Sequence, residues 1–334
     1  MISNRLPDQR ARTAKNAQLA LRGGALRQLI NYLSLSLIFI LLGVAAVYYY
    51  GSLETRTSLE NTARDNLDSL RRTEWMPQVV VGFWDKLYQS VPSSEGMVVE
   101  AGLTTASESP VLAGIPKAPR PTRTLYNLSY INLYDEVERK PLCIMTHVQD
   151  PNAFPASAPQ NFVVDTRVGT TTAEEMRLGK WAPHPIVPTE LMSAAFGETG
   201  ASESQLSTQL VPVPDAFANG IWRQAIQNAF TDYANRFGEV WIYAGPVYQE
   251  TSSMLSSGIL IPDAFYLICF DRTASGGIRS LAFLIPTDAP TEAPLKDYIS
   301  SIERIEVATG LQFLPDLPTS TQDLLRDVVS SKPW

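Results

Sequence analysis

The sequence predicts an α+β domain held behind a single membrane-spanning helix, and three observations carry that expectation. A run of 22 residues, 29–50, contains no charge; strand-like apolar runs recur beyond residue 124; and one long helical stretch, Asp215 to Phe237, lies among them. With 334 residues and a hydrophobic content of 45%, the chain can bury one sizeable core, while its 24 prolines keep much of it in extended or looped backbone.

The uncharged run reads LINYLSLSLIFILLGVAAVYYY. At about 1.5 Å per residue it spans roughly 30 Å of hydrocarbon. A signal-peptide core is shorter and leads to a small-residue cleavage site, whereas this run ends in Tyr48, Tyr49 and Tyr50, which suit a membrane interface. Arg5, Arg10, Arg12, Lys15, Arg22 and Arg27 precede it against the single acid Asp8, so the positive-inside rule keeps the short N-terminus inside and sends the large domain outward. Of the 27 Lys and Arg and 34 Asp and Glu, that leaves 21 and 33 beyond the span, a formal charge of −12. The Arg-rich, acid-poor residues 1–28 have the look of a mitochondrial targeting segment. The reading is therefore a single-pass protein of the mitochondrial inner membrane, N-terminus in the matrix and large domain in the intermembrane space. The secretory pathway or plasma membrane stays open as the alternative, in which Asn127-Leu128-Ser129 would be a glycan acceptor.

Beyond the anchor, residues 51–90 read as stalk helices. Leu59, Ala63, Leu67 and Leu70 recur at helical spacing, Trp75-Met76-Pro77 ends the first stretch, and a second runs near Val79 to Gln89. Residues 91–123 are a Pro/Ser-rich linker or arm suited to covering a partner's surface. Residues 124–318 form the main domain, a mixed sheet packed by helices, and 319–334 a C-terminal tail. Its strand-like runs are LYNLSYINLYDE, KPLCIMTHV, EVWIYAGPVY, AFYLICF and SLAFLIP. Cys143 and Cys269 are too few for a disulfide framework and lack metal-ligand spacing; they read as buried thiols, with a bridge left open. With His147 and His184 as the only histidines, a zinc centre is not expected. No phosphate-cradling glycine loop and no nucleophile elbow occurs.

The order of segments is more specific than any one of them. YNLSYINLYDEVERKPLCIMTHV resembles the opening hairpin of the DNA/RNA non-specific endonucleases, the endonuclease G type. EVWIYAGPVYQE is similar to their central strand, ILIPDAFYLICF and LAFLIPTDAP to the next two strands, and SIERIEVATGLQFLPDL to the closing segment, covering roughly Leu125 to Leu317. QLSTQLVPVPDAFANGIWRQAI is also similar to the non-cutting nuclease-like domain of the nucleotide pyrophosphatase/phosphodiesterases. The resemblance implies the ββα-metal nuclease fold, here preceded by one transmembrane helix and an amphipathic stalk helix.

The resemblance also implies a site. Such an enzyme deprotonates water with an imidazole and neutralises the phosphate with one Mg²⁺. In KWAPHPIVP, His184 matches the imidazole, but Trp181, Ala182 and Pro183 stand in place of the motif's Asp, Arg and Gly, removing a charged partner. Aligned on Trp222, Ala218 takes the place of the metal asparagine and Ile226 that of the assisting glutamate. A one-residue slip offers Asn219 and Gln227 instead, and Thr208-Gln209 departs from the upstream Ser/Thr-Asn pair. His184 is thus a vestigial catalytic candidate and Asn219 a weak metal candidate.

The expected function follows from this stripped motif. The reading is a pseudonuclease, not an enzyme, without cofactor, whose partners are the lipid bilayer and the other subunits of a larger membrane complex of the respiratory chain or the ATP synthase. No nucleic-acid partner is expected of so acidic a domain. The alternative is a divergent membrane-anchored nuclease or phosphodiesterase that uses His184 and Asn219 with Mg²⁺.

Overall fold

A computed structural model describes residues 99–100, 109–156, 161–273 and 277–334. The expected membrane span 29–50, the stalk 51–90 and residues 91–98 and 101–108 of the arm lie outside the described residues. Among those described, no helix is long and apolar enough to cross a membrane.

The chain first builds a meander of β2 (Arg123–Tyr126), β3 (Ile131–Asp135) and β4 (Lys140–Val148). The β3–β4 turn is set by Asp135, whose Oδ1 accepts from the amides of Val137 and Glu138, and by Arg139 in the left-handed region at φ 51°. After an excursion through residues 149–239 the chain returns as β7 (Val240–Val247), β8 (Ala264–Arg272) and β9 (Gly277–Pro286). With β1 (Val99–Glu100) and β10 (Ile299–Ser300) on the outer edge of β9, they complete an eight-stranded sheet ordered β1-β9-β8-β7-β4-β3-β2. Every pairing in it is antiparallel, which corrects the expected mixed sheet. Within each set of successive strands the connections are turns and loops, and none carries the helical crossover that a parallel pair needs.

The central strands are buried on both faces, so side chains alternate between two cores. Val240, Ile242, Ala244, Phe265, Leu267 and Cys269 face one core; Trp241, Tyr243, Tyr266, Ile268, Phe270 and Cys143 face the other. Cys143 and Cys269 are both free thiols.

The helical run 215–237 covers the first face, but not as one helix. It divides into α2 (Asp215–Ala218), α3 (Ile221–Gln227), a π-helical segment (Asn228–Tyr233) and α4 (Ala234–Phe237). The break falls at Gly220, where a Cβ would lie 2.4 Å from the carbonyl oxygen of Ala216 and 2.5 Å from Thr291 Cγ2. The wide turn has a cause in spacing. Ala225 and Ile226, Ala229 and Phe230, and Tyr233 and Ala234 repeat every four residues, and a strict four-residue repeat overshoots the 3.6 of an α-helix unless a turn widens. Gly238, left-handed at φ 85°, ends the run.

The second face is covered by α5 (Ile302–Thr309), through Ile302 and Ile305, by Leu325 of α6 (Thr319–Arg326), and by the later part of the arm, from residue 109 on. Leu112 donates its amide to the Tyr243 hydroxyl (2.8 Å), that hydroxyl donates to the Leu112 carbonyl (2.9 Å), and Trp241 Nε1 donates to Ser109 O. This part of the arm therefore wraps its own sheet, where a partner's surface was expected. Residues 319–334, set apart in the sequence as a tail, hold α6 and end with Trp334 edge-on to Tyr233 and Phe237 in the first core.

Candidate functional site

The excursion between β4 and β7 builds the site. It contains β5 (Trp181–Pro185) paired antiparallel with β6 (Leu210–Pro214), and α1 (Thr189–Glu203), which breaks at Gly197. Four prolines lie in this two-stranded ribbon, and Pro183 faces Pro212 directly, so neither side of that pair has an N–H to give. His184 follows, opposite Val211, and β6 runs straight into Asp215 at the start of α2.

The ribbon is tied to the helices by buried hydrogen bonds. Trp222 Nε1 donates to the Ile186 carbonyl at 2.9 Å, and Gln209 Oε1 accepts from the Val187 amide at 2.9 Å. Thr208 donates to Asp165 Oδ2 and its carbonyl accepts from Asn132 Nδ2, both at 2.8 Å. Thr208 and Gln209 thus hold the scaffold beneath His184.

His184, Glu190, Asn219 and Arg223 line one cleft of about 250 Å³ together with Phe162, Pro183, Pro185, Pro188, Thr189 and Ala218. The structure therefore brings both sequence candidates, His184 and Asn219, to one place. Asn219 is exposed at the end of α2, while Gln227, its partner under the slipped alignment, is exposed on α3 and does not line the cleft. Under the alignment on Trp222, Ala218 is 8% exposed and Ile226 fully buried, both in the first core.

Two features of the cleft were not legible beforehand. His184 Nε2 lies 2.6 Å from Asp215 Oδ1, so the imidazole has an acidic partner after all, supplied from the helix start. That corrects the expectation that the altered motif leaves it without one. Arg223 pairs with Glu190, placing one cation and one carboxylate in mutual contact on the cleft wall. The spacing Asp215…Asn219…Arg223, four residues apart in sequence, was the available signal, but the break at Gly220 hid it.

Residues 192–320 match the family model described as DNA/RNA non-specific endonuclease. The chain carries a domain of that family. Compared with curated proteins, the chain finds no match. The matched stretch of the endonuclease domain runs from α1 into the first turn of α6, so it includes Ala218, Asn219, Trp222 and Ile226 and begins after His184.

The Mg²⁺ implied by this family fits the endonuclease domain poorly. Ala218 and Ile226 offer no oxygen, Glu190 is engaged by Arg223 and Asp215 by His184. Among the described residues no group of three or more His, Cys, Asp or Glu could hold a metal ion, and a hard divalent ion relies on several oxygen ligands. What the cleft can do with its own groups is narrower: His184 and Asp215 hydrogen-bond to each other, and Arg223 and Asn219 can donate hydrogen bonds to an acceptor.

The remaining histidine does not line this cleft. His147 stacks on Trp241 at 4.0 Å and shares a hydrogen bond with Glu239 at 3.0 Å.

Proposed function

We propose that this endonuclease-family domain does not cut nucleic acid and serves as a binding or structural module of a membrane-anchored accessory subunit. The observation that carries this reading is the presence of Ala218 and Ile226, two side chains without a ligand atom, at the family's metal-engaging positions. Of the two helix positions from which the family chemistry would engage its metal, Ala218 presents only a methyl group to the cleft and Ile226 is buried in the apolar core, so neither side chain offers a ligand oxygen.

The membrane role rests on the sequence: the uncharged run 29–50 with its one-sided basic flank supports a single-pass anchor, and the Arg-rich start supports the mitochondrial inner membrane. On this reading the domain faces the intermembrane space as part of a respiratory-chain complex or the ATP synthase. The secretory alternative is less well supported, because Asn127 Nδ2, the atom a glycan would join, is buried while its Oδ1 accepts from Arg167 at 2.9 Å.

Purification of the full chain in mild detergent tests the role, with co-migration in a large complex expected and a lone monomer counting against it. Incubation with single-stranded DNA or RNA and Mg²⁺ tests the chemistry. No cleavage is expected, and cleavage abolished by His184→Ala would overturn the proposal. The second reading, a divergent nuclease or phosphodiesterase, is favoured by the presence of His184 and Asn219 in one cleft with Asp215 on the imidazole.

A further inference from the structure

At the first residue of β4, Lys140 is only 9% exposed. Its Nζ lies 4.2 Å from the centre of the Tyr248 ring. Among the described residues no carboxylate or hydrogen-bond acceptor lies within bonding distance of it. An ammonium carries three donors, and an aromatic face satisfies only part of that demand. The two nearest acids are committed elsewhere. Asp135 Oδ1 caps the β3–β4 turn and its Oδ2 takes Arg120 at 3.3 Å, while Glu138 takes the same guanidinium at 3.4 Å.

Lys140 opens instead onto a cavity of about 80 Å³, walled by Leu142, Pro246, Tyr248, Thr309 and Leu311, with Arg120. Room on this scale holds several waters or one small oxyanion. Its polar lining is one-sided. Thr309 Oγ1 already donates to the Ile305 carbonyl (2.7 Å) and accepts from the Leu311 amide (3.2 Å), and burial pushes the Tyr248 phenol upward, keeping it a neutral donor. Lys140 is itself held below its ordinary value by burial, with Arg120 opposing its charge and Glu138 and Asp135 favouring it. A half-open pocket whose uncommitted polar groups include the Lys140 ammonium and the Tyr248 phenol favours an acceptor carrying negative charge.

We infer that the Lys140 cavity is a binding site for a small oxyanion of phosphate or carboxylate type, held by the Lys140 ammonium with Arg120 at its side. The same chemistry can arrive as free phosphate or as an acidic side chain of a neighbouring protein. The site shares no residue with the His184 cleft, so its fate is independent of the nuclease reading.

The test uses the full chain in detergent, titrated with inorganic phosphate and separately with acetate at fixed ionic strength, following heat by calorimetry and the thermal midpoint. Saturable binding that raises the midpoint is expected, weakened on the order of tenfold or more in Lys140→Met, as for the loss of a charge-assisted hydrogen bond. Lys140→Met keeps the apolar stem, so its midpoint without anion should equal or exceed that of the parent, which separates lost binding from lost folding. Phosphate binding that acetate cannot displace supports a free phosphate ligand; equal displacement supports a carboxylate. Binding of neither anion, or binding unchanged in Lys140→Met, overturns the inference.

Discussion

His184 Nε2 and Asp215 Oδ1 stand 2.6 Å apart across the junction of a proline-rich ribbon and the first turn of a helix. Asp215 is 74% exposed at its side chain and His184 21%. A polar contact so open to water competes with solvent, and its geometry costs side-chain freedom to maintain. A double-mutant cycle with His184→Ala and Asp215→Ala should therefore give a coupling energy of no more than about 1 kcal/mol in urea unfolding. A coupling several times larger would show that the pair is a built structural element of the cleft.

The buried helix positions make an opposite forecast. Ile226 is fully buried in the first core, so Ile226→Glu, which restores the family's carboxylate, should cost more than about 3 kcal/mol by leaving an unpaired charge in an apolar setting. Gln227→Glu, one residue on and exposed, should change stability by no more than about 0.5 kcal/mol. Denaturant midpoints of the two variants decide it. A stable Ile226→Glu protein would mean that this helix face opens more readily than its packing implies.

Acid should weaken the domain through His147. Burial against Trp241 holds this imidazole below its ordinary value of about 6.5, and the Glu239 carboxylate only partly offsets that effect. A histidine lowered in the folded state takes up its proton less readily than in the unfolded chain, so its contribution is complete above about pH 6.5. It declines as pH falls through that value toward the folded one. Urea unfolding at a series of pH values should show His147→Phe losing less stability than the parent over this window, and parallel curves would remove His147 as the cause.

At Leu112 the arm is held by one phenol. Tyr243→Phe removes the hydrogen bonds to both the amide and the carbonyl of Leu112 and leaves its buried N–H without an acceptor, at a cost of about 1–3 kcal/mol. Amide exchange at Leu112 should quicken more than exchange within β7. Unchanged exchange would mean that apolar packing of Leu112 suffices to hold the arm.

The sheet was the readable part of the fold because its strands combine apolar runs with turn residues at their ends. KPLCIMTHV coincides with β4, and AFYLICF and SLAFLIP lie wholly within β8 and β9. The α+β class and the family resemblance rest on those same strands. β5 and β6 escaped notice because Pro183, Pro185, Pro212 and Pro214 argue against strands, and only a two-stranded ribbon with two free edges tolerates them. The long helix was read through its apolar residues, which do not reveal the tight approach of Thr291 to Gly220 that divides it. At the site, His184 and Asn219 were legible as motif positions. The partners Asp215 and Glu190 were not, since each meets its mate across more than thirty positions of chain.

Cys143 and Cys269 face opposite sides of one sheet, and each is sealed from water. Burial pushes the Cys143 thiol up to about 12, and Cys269 is raised as well. An oxidising surrounding has no route to join them within the folded chain. The two thiols are instead paired clocks: the rate at which a maleimide reaches Cys143 times the lifting of the arm and closing helices, and the rate at Cys269 times the lifting of the opposite helical layer.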